Sequence, residues 1–534
     1  IFDLNVTGTS CTYTATGILT LRDDILGAGS FNSSDPLAGP VIFAGAGSSI
    51  FGTGSKTFRT ISVTGTLTPA VTYNLVGAGG IDVTGTLASG GTVVFAGSTQ
   101  TITGSSINIA FNIFTTNVGS DLTITPDITI NSNLTGNGNI IAAGTITFVG
   151  LTMSGTGTKN FNNVTVGTGT LTPNANYSIA GNLVVNGTLA AGNATTTFNG
   201  TTLVSGAGAA TFNNVSITNT LTARTSSEPV LNINGNFTNT GTFNGSSGTV
   251  SLGGNFINNG TFNANTGTFV FNSTVSPART ITGSSSVTFN NLTIFDKGQN
   301  PDVINNMVSP VTVGIAGSLS FGGANAQLDA DGSGSSVLTI LSTGDSPAQD
   351  GRIDAITFAG SNITGNFTVQ RFVSSEGSGR FYRYIASPVV GSTVADLQNA
   401  IPVTGTFADP SVCTGCISTN PSLFFYNETT NAYVAYPTAG LASANAFTNG
   451  RGYSAFFRHT GSGGVGNATI NFVGTNPSTG NISLPVSPNA SGFSLVGNPY
   501  PSAIRWDNGG GWAKTNIADG IVVRDNSTGV HQSY

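Results

Sequence analysis

Charge is what this chain has least of. Only 7% of its 534 residues are Asp, Glu, Lys or Arg, against roughly 25% in an ordinary soluble protein. The 16 basic residues are spread thinly, so no cluster exists to track a phosphate backbone and nucleic acid is excluded as a partner. Histidine occurs twice, at His459 and His531, which leaves the repetitive part of the chain without a Ser-His-Asp or Cys-His arrangement. The three cysteines are Cys11, Cys413 and Cys416, too few for a disulfide framework. A lone C-x2-C is half of a zinc site, so Cys413 and Cys416 read as a local disulfide or two inert thiols. No apolar run approaches the roughly 18 to 20 residues of a transmembrane helix. The chain opens at Ile1 without a Met or a charged-then-apolar leader, the pattern of a processed product.

What fills the space is glycine, at 74 residues, with Thr, Ser, Asn and 33 Phe. Disordered chains lack β-branched and aromatic residues, so this composition instead suits many short strands joined by Gly and Asn turns. Apolar residues alternate with Thr and Asn, as in Phe161, Val164 and Val166, and no stretch sustains helical spacing.

Self-comparison is more informative still. The phrase Lys-Thr-Phe-Arg-Thr-Ile-Ser-Val around Phe58 returns as Lys-Asn-Phe-Asn-Asn-Val-Thr-Val around Phe161. It returns again at Phe212 and Phe289, with a weaker copy at Phe111, giving intervals of 53, 50, 51 and 77. A second phrase, at Gly85 and Gly187, is displaced by 102, or two periods of 51. Inside the long interval, Gly-Asn-Phe-Thr-Asn-Thr-Gly-Thr-Phe-Asn from Gly235 recurs from Gly254, a shift of 19. An elementary coil of that length, nested in a larger repeat, argues against a propeller, whose blades hold four antiparallel strands. The fold expected is all-β: a parallel β-solenoid (β-helix) over 1–370, with Phe and Asn ladders formed by residues resting on their copies one coil away. Strands about 4.8 Å apart would make some 15 to 18 coils a rod on the order of 75 Å.

The repeat language fades after about residue 330, and nine of the 16 basic residues lie beyond 300. A smaller β-sandwich-like domain is expected over 371–534, where it would also cap the end of the solenoid. Its text runs Asn-Ile-Thr-Gly-Asn-Phe-Thr-Val-Gln-Arg-Phe (362–372), Tyr-Arg-Tyr-Ile-Ala-Ser-Pro-Val (382–389), Pro-Ser-Leu-Phe-Phe-Tyr-Asn-Glu (421–428) and Gly-Arg-Gly-Tyr-Ser-Ala-Phe-Phe-Arg (450–458). Most specific is Phe-Ser-Leu-Val-Gly-Asn-Pro-Tyr-Pro-Ser-Ala-Ile-Arg-Trp-Asp (493–507), in which Arg505 stands where an acidic residue would be expected. This series resembles a module of Bacteroidetes surface proteins. The resemblance implies export by the type IX secretion system, display on or release from the outer membrane, and a further sorting domain. It does not fix a ligand.

Chemistry is sparse. A glycan-cleaving solenoid needs grouped carboxylates, whereas the nine acidic residues before 300 show no neighbours at a coil spacing. Asp23 and Asp24 are adjacent and on a strand would diverge. Asp329 and Asp331 resemble the opening of a calcium loop without its closing Glu, with a plain turn as the competing reading, and no other cofactor is implied. Tyr500, Trp506 and Trp512 are candidates for stacking on a sugar, or else anchors of a small β core. The Asn-x-Ser/Thr triplets at Asn163, Asn186, Asn214, Asn236 and Asn259 read as core or corner ladders. Thr66–Thr68 and Thr170–Thr172 could present hydroxyls to ice or crystalline glycan, against the plainer role of Thr as a strand former. The function expected is non-enzymatic: an extracellular or cell-surface structural or adhesive protein whose partners are a glycan, a surface or copies of itself, with attachment machinery. The alternatives are a glycan-degrading enzyme, a filament subunit, or cargo bound to secretion machinery.

Overall fold

The structure is a computed structural model. It describes residues 3–533 apart from 89, 225–229, 273–278, 296–301, 305–311, 333–337, 375–379, 407–418, 459–466, 478–481, 485, 487–491, 507–512 and 525–529. The described chain is nearly all β, with a parallel solenoid of about 14 turns, fewer than the repeat spacing suggests. Two compact units are present, Ile1–Gly267 and Thr268–Tyr534.

In the first unit three parallel sheets run side by side, each receiving one strand per turn. One carries Leu21, Phe43, Val63 and Val83 in register, and farther along it Phe161, Ile179, Phe198 and Ile217. A second stacks Phe58, Leu75 and Phe95, and the third Ile130, Phe148, Val166 and Val185. All of these side chains are buried. Strand alternation turns every second residue inward, so short Val, Ile, Leu and Phe strands suffice for a continuous core. Turn length varies. The step that brings Phe58 to Leu75 is short, while the step from Ile25 to Ile50 takes in a longer corner.

The copies shifted by 19 stack as the sequence suggests. Phe237 lies on Phe256 with ring centroids 5.2 Å apart, and Phe243 on Phe262 at 5.4 Å. Buried Asn239 donates its side-chain amide to Asn258 Oδ1 at 2.7 Å, and Asn263 donates to Asn244 at 2.9 Å. The copies of the longer repeat do not stack. From Phe161 the inward path passes Val164, Leu171, Ile179, Val185, Leu189, Phe198 and Val204 before Phe212. Eight strand steps at three per turn make two and two-thirds turns, so each copy arrives on a different sheet from the copy before it. The ladders therefore form between copies one coil apart, as at Phe237 and Phe256, and not between copies of the longer repeat.

In the second unit the turns lengthen, which explains why the repeat fades. Phe269 pairs with Leu292, whereas farther along Leu328 must reach Ile363 for its partner. The strand Phe367–Val373 then changes the architecture. It pairs in parallel with Leu338–Ile340 on one edge and antiparallel with Ala468–Gly474 on the other. A four-stranded antiparallel sheet follows, ordered Arg380–Ile385, Tyr453–Arg458, Leu423–Asn427 and Ala432–Ala435. The two sheets meet through Phe472, Phe447 and Tyr453, with centroids 6.1 and 5.0 Å apart, a sandwich-like arrangement.

Phe198 is fully buried, so Phe198→Ala should destabilise the first unit by about 3–5 kcal/mol. Thr135→Ala, on an outward position, should stay within about 0.5 kcal/mol. Urea unfolding monitored by amide exchange measures both, and equal costs would contradict the inward assignment.

Candidate functional site

Acidic residues in the first unit mostly serve the stack. Asp127 Oδ1 accepts the Thr145 amide at 2.6 Å, Asp82 the Thr103 hydroxyl at 2.9 Å, and Asp121 the Asn139 side chain at 2.8 Å. Asparagines do the same work at corners. Asn163, Asn214 and Asn236 accept the amides of Asn182, Asn236 and Asn255 at 2.8, 2.8 and 2.9 Å. Three of the five triplets are therefore corner ladders.

One acidic grouping goes further. Asp3, Asp23 and Asp24 bring carboxylate oxygens within 4.8 Å of one another, contrary to the expectation that no acids meet at a coil spacing. Leu4 pairs with Ile25, which places Asp3 one turn from Asp24. Asp23 and Asp24 occupy the bend before Ile25 rather than a strand, so strand alternation does not separate them. Asp24 Oδ1 accepts the Ser49 amide at 2.6 Å. Its carboxyl pKa is raised from 3.8, chiefly by burial and then by Asp23 and Asp3, with the Ser49 amide opposing. Three oxygen donors at this spacing suit one hard cation.

In the first unit three cations are buried and donate to glycine carbonyls. Lys56 and Lys159 are 0% and 1% exposed, and Arg224 3%. Lys159 Nζ donates to the carbonyls of Gly136, Gly155 and Gly157 at 3.0, 3.1 and 2.8 Å. Lys56 Nζ does so to Gly27, Gly29 and Gly54 at 3.4, 3.1 and 2.9 Å. Arg224 reaches Gly206 and Gly208 at 3.1 and 2.6 Å. Glycine is required at Gly155, where φ is 98° and a Cβ would come within 2.5 Å of the Gly136 carbonyl carbon. Both lysines stand two positions before the Phe of the repeated phrase, the one signal in the sequence that could have marked them.

Within the first unit, the outward side of one sheet is free of charge among the described residues. Its row Thr14, Asn32, Thr57, Asn74, Val94, Thr115, Thr135 and Ser154 is paired rung by rung. Thr152 continues to Thr172, Thr170 to Thr188 and Ala209, and Thr211 to Asn232 and Ser251. Within the first unit thirteen strand segments pair in this sheet, from Thr12–Thr14 to Thr249–Leu252, and their only charged residue is inward Lys56. Arg59 follows at the corner beyond Phe58, where the chain leaves this sheet for the next. Thr170–Thr172 lies on this face, but Thr66–Thr68 pairs with Ser48–Ile50 in a different sheet.

Of the residues singled out in the second unit, Asp329 Oδ1 accepts the amides of Asp331 and Gly332 at 3.3 and 3.1 Å. Asp331 Oδ2 accepts that of Asn366 at 2.8 Å. Both carboxylates thus fasten a turn. Tyr500 sits in a strap: Asn449 donates to Pro499 O at 3.1 Å, Ile353 to Pro501 O at 3.0 Å and Gly497 to Gly450 O at 2.9 Å. The phrase at 493–507 therefore ties the sandwich-like region to the neighbouring coil strand. Trp506 has Lys514 Nζ 4.7 Å from its ring centroid and donates to Asp519 O at 2.7 Å. Cys413, Cys416 and Trp512 lie outside the described residues.

Burial lowers the pKa of both lysines from 10.5. The folded chain therefore holds fewer protons than the unfolded chain between that lowered value and 10.5, and stability rises with pH across the interval. Lys159→Met removes the charged donor from three carbonyls and should cost about 2–4 kcal/mol at neutral pH. It should also lose the lysine's share of the rise, as read from urea unfolding at increasing pH. No known protein family, curated protein or solved structure matches the chain.

Proposed function

We propose that this chain is a non-enzymatic structural or adhesive protein of a cell surface, exported by a type IX secretion system. The observation that carries this reading is the charge-free outward face of the first unit, thirteen strand segments deep. Thr, Ser and Asn at most rungs, with Val94 and Ala209 between them, offer donors and acceptors spaced about 4.8 Å along the stack. Without charged side chains, the face holds no electrostatic barrier against a neutral partner and no steering field for an ionic one. An insoluble, uncharged glycan surface is the complementary substratum. Export rests on the likeness of the 362–507 phrases to surface-protein modules, and labelling of intact cells with an antibody to the first unit is its direct test.

Adsorption to insoluble neutral polysaccharide tests the face. Thr135→Glu with Thr172→Glu puts two charges on outward positions and should reduce adsorption about tenfold, while Thr165→Glu on another sheet should leave it unchanged. Equal adsorption by all three proteins would remove the face from the function. Loss of self-association rather than of adsorption would favour a filament subunit.

A glycan-degrading enzyme is a second reading because Asp3, Asp23 and Asp24 converge. Under the structural reading the intact chain releases no reducing ends from polysaccharide, and Asp23→Asn changes only the stability of the first turn. Product release abolished by that substitution would establish the enzyme instead.

A further inference from the structure

A second outward column runs beside the row from Thr14 to Ser154. Thr12 opposes Ser30 and Thr92 opposes Ile113, and at its far end the Thr152 hydroxyl donates to Asn133 Oδ1 at 2.8 Å. Hydroxyls also meet across the face: those of Ser55 and Thr57 lie 3.3 Å apart, and those of Thr135 and Ser154, on successive turns, 3.5 Å apart. None of the eight residues in the first row is buried. Between Thr60 and Ser154 the chain carries three charges, Asp82, Asp121 and Asp127. Each is engaged with the next turn, and none belongs to this sheet.

Eight rungs in register make the face a lattice rather than a patch. Along the stack the rungs stand about 4.8 Å apart, because each amide N–H must reach the carbonyl one turn away, and outward neighbours on one strand are about 6.6 Å apart. The rung distance is the feature that selects an occupant. Acetamido groups stacked through N–H···O=C bonds obey the same geometry as peptide groups and repeat at nearly the same distance, as side-chain amide ladders do. A polymer packed by hydroxyl bonds alone is under no such constraint. We propose that the face docks on a crystalline neutral polysaccharide bearing N-acetyl groups, with one sugar chain of the crystal surface on each turn of the solenoid. Sugar hydroxyls and acetamido groups meet Thr, Ser and Asn, while acetyl methyls meet Val94, Ile113 and the threonine methyls. Each rung contributes little, and the gain comes from many rungs engaged at once. A dissolved oligosaccharide reaches one rung and forfeits that gain. This inference rests on adsorption through the face proposed above and adds which solid the face fits.

Adsorption isotherms of the full chain on three solids test it: crystalline poly-N-acetylglucosamine, the same polymer swollen to an amorphous gel, and crystalline cellulose. The crystalline N-acetylated solid should bind about tenfold or more tightly than either of the others, and excess soluble N-acetylglucosamine hexasaccharide should not displace the protein. Asn74→Arg with Thr115→Arg should weaken that adsorption about tenfold. Thr115→Ser should keep most of it, and Thr197→Arg, on another sheet, should leave it unchanged. Circular dichroism matching the parent secures each variant. Equal adsorption to all three solids, preference for cellulose, or displacement by the hexasaccharide overturns the lattice match while leaving adsorption to neutral glycan standing. Adsorption to none of them, or adsorption unaffected by the paired Arg substitutions, overturns both.

Discussion

The parallel backbone ladder between successive turns is the constraint on which the rest of the chain depends. Every strand in the stack satisfies its N–H and C=O groups through the strands one turn before and one turn after it, so side chains are relieved of that task except at corners. Corners are where the unusual chemistry collects. Asn and Asp side chains there accept the amide of the following turn, as Asn163 does for Asn182 and Asp24 for Ser49. An orphaned amide inside such a stack would cost about as much as a lost hydrogen bond, and these side chains remove it without adding a segment.

Lys56, Lys159 and Arg224 solve the converse problem. Where the chain bends through successive glycines, carbonyls converge, and converging carbonyls need a donor. A buried ammonium supplies three donors from one side chain, at the desolvation cost that lowers both lysine pKa values. The few charges in the first unit are therefore mostly parts of the scaffold, and the sheet that runs from Thr12 to Leu252 is left with none pointing outward.

Much of the coil was legible in the sequence because its signal is local. Alternation within a strand fixed the inward residues, and the shift of 19 between Phe237 and Phe256 fixed the ladder there. The larger repeat spans two to three coils on its spacing, but a period measured along the chain does not state how many strands it contains, so the change of sheet from one copy to the next was not legible. The Asp3 and Asp24 contact was hidden for a related reason: no repeated phrase marks the first turn, so the separation between them carried no visible meaning. In the second unit, the placement of Tyr382 beside Phe456 depends on antiparallel pairing between segments as distant along the chain as Arg380 and Arg458. Side-chain alternation gives the face of each strand but not the partner beside it.

The two-and-two-thirds-turn span of the longer repeat has a consequence for how such a chain can change in length. Gaining or losing one whole coil within the first unit leaves each later strand on its own sheet, so every face keeps its chemistry. Gaining or losing one longer repeat rotates each later strand by one sheet. An uninterrupted neutral face therefore tolerates growth by whole coils, whereas growth by the longer unit would carry carboxylates such as Asp82 and Asp121 around into it.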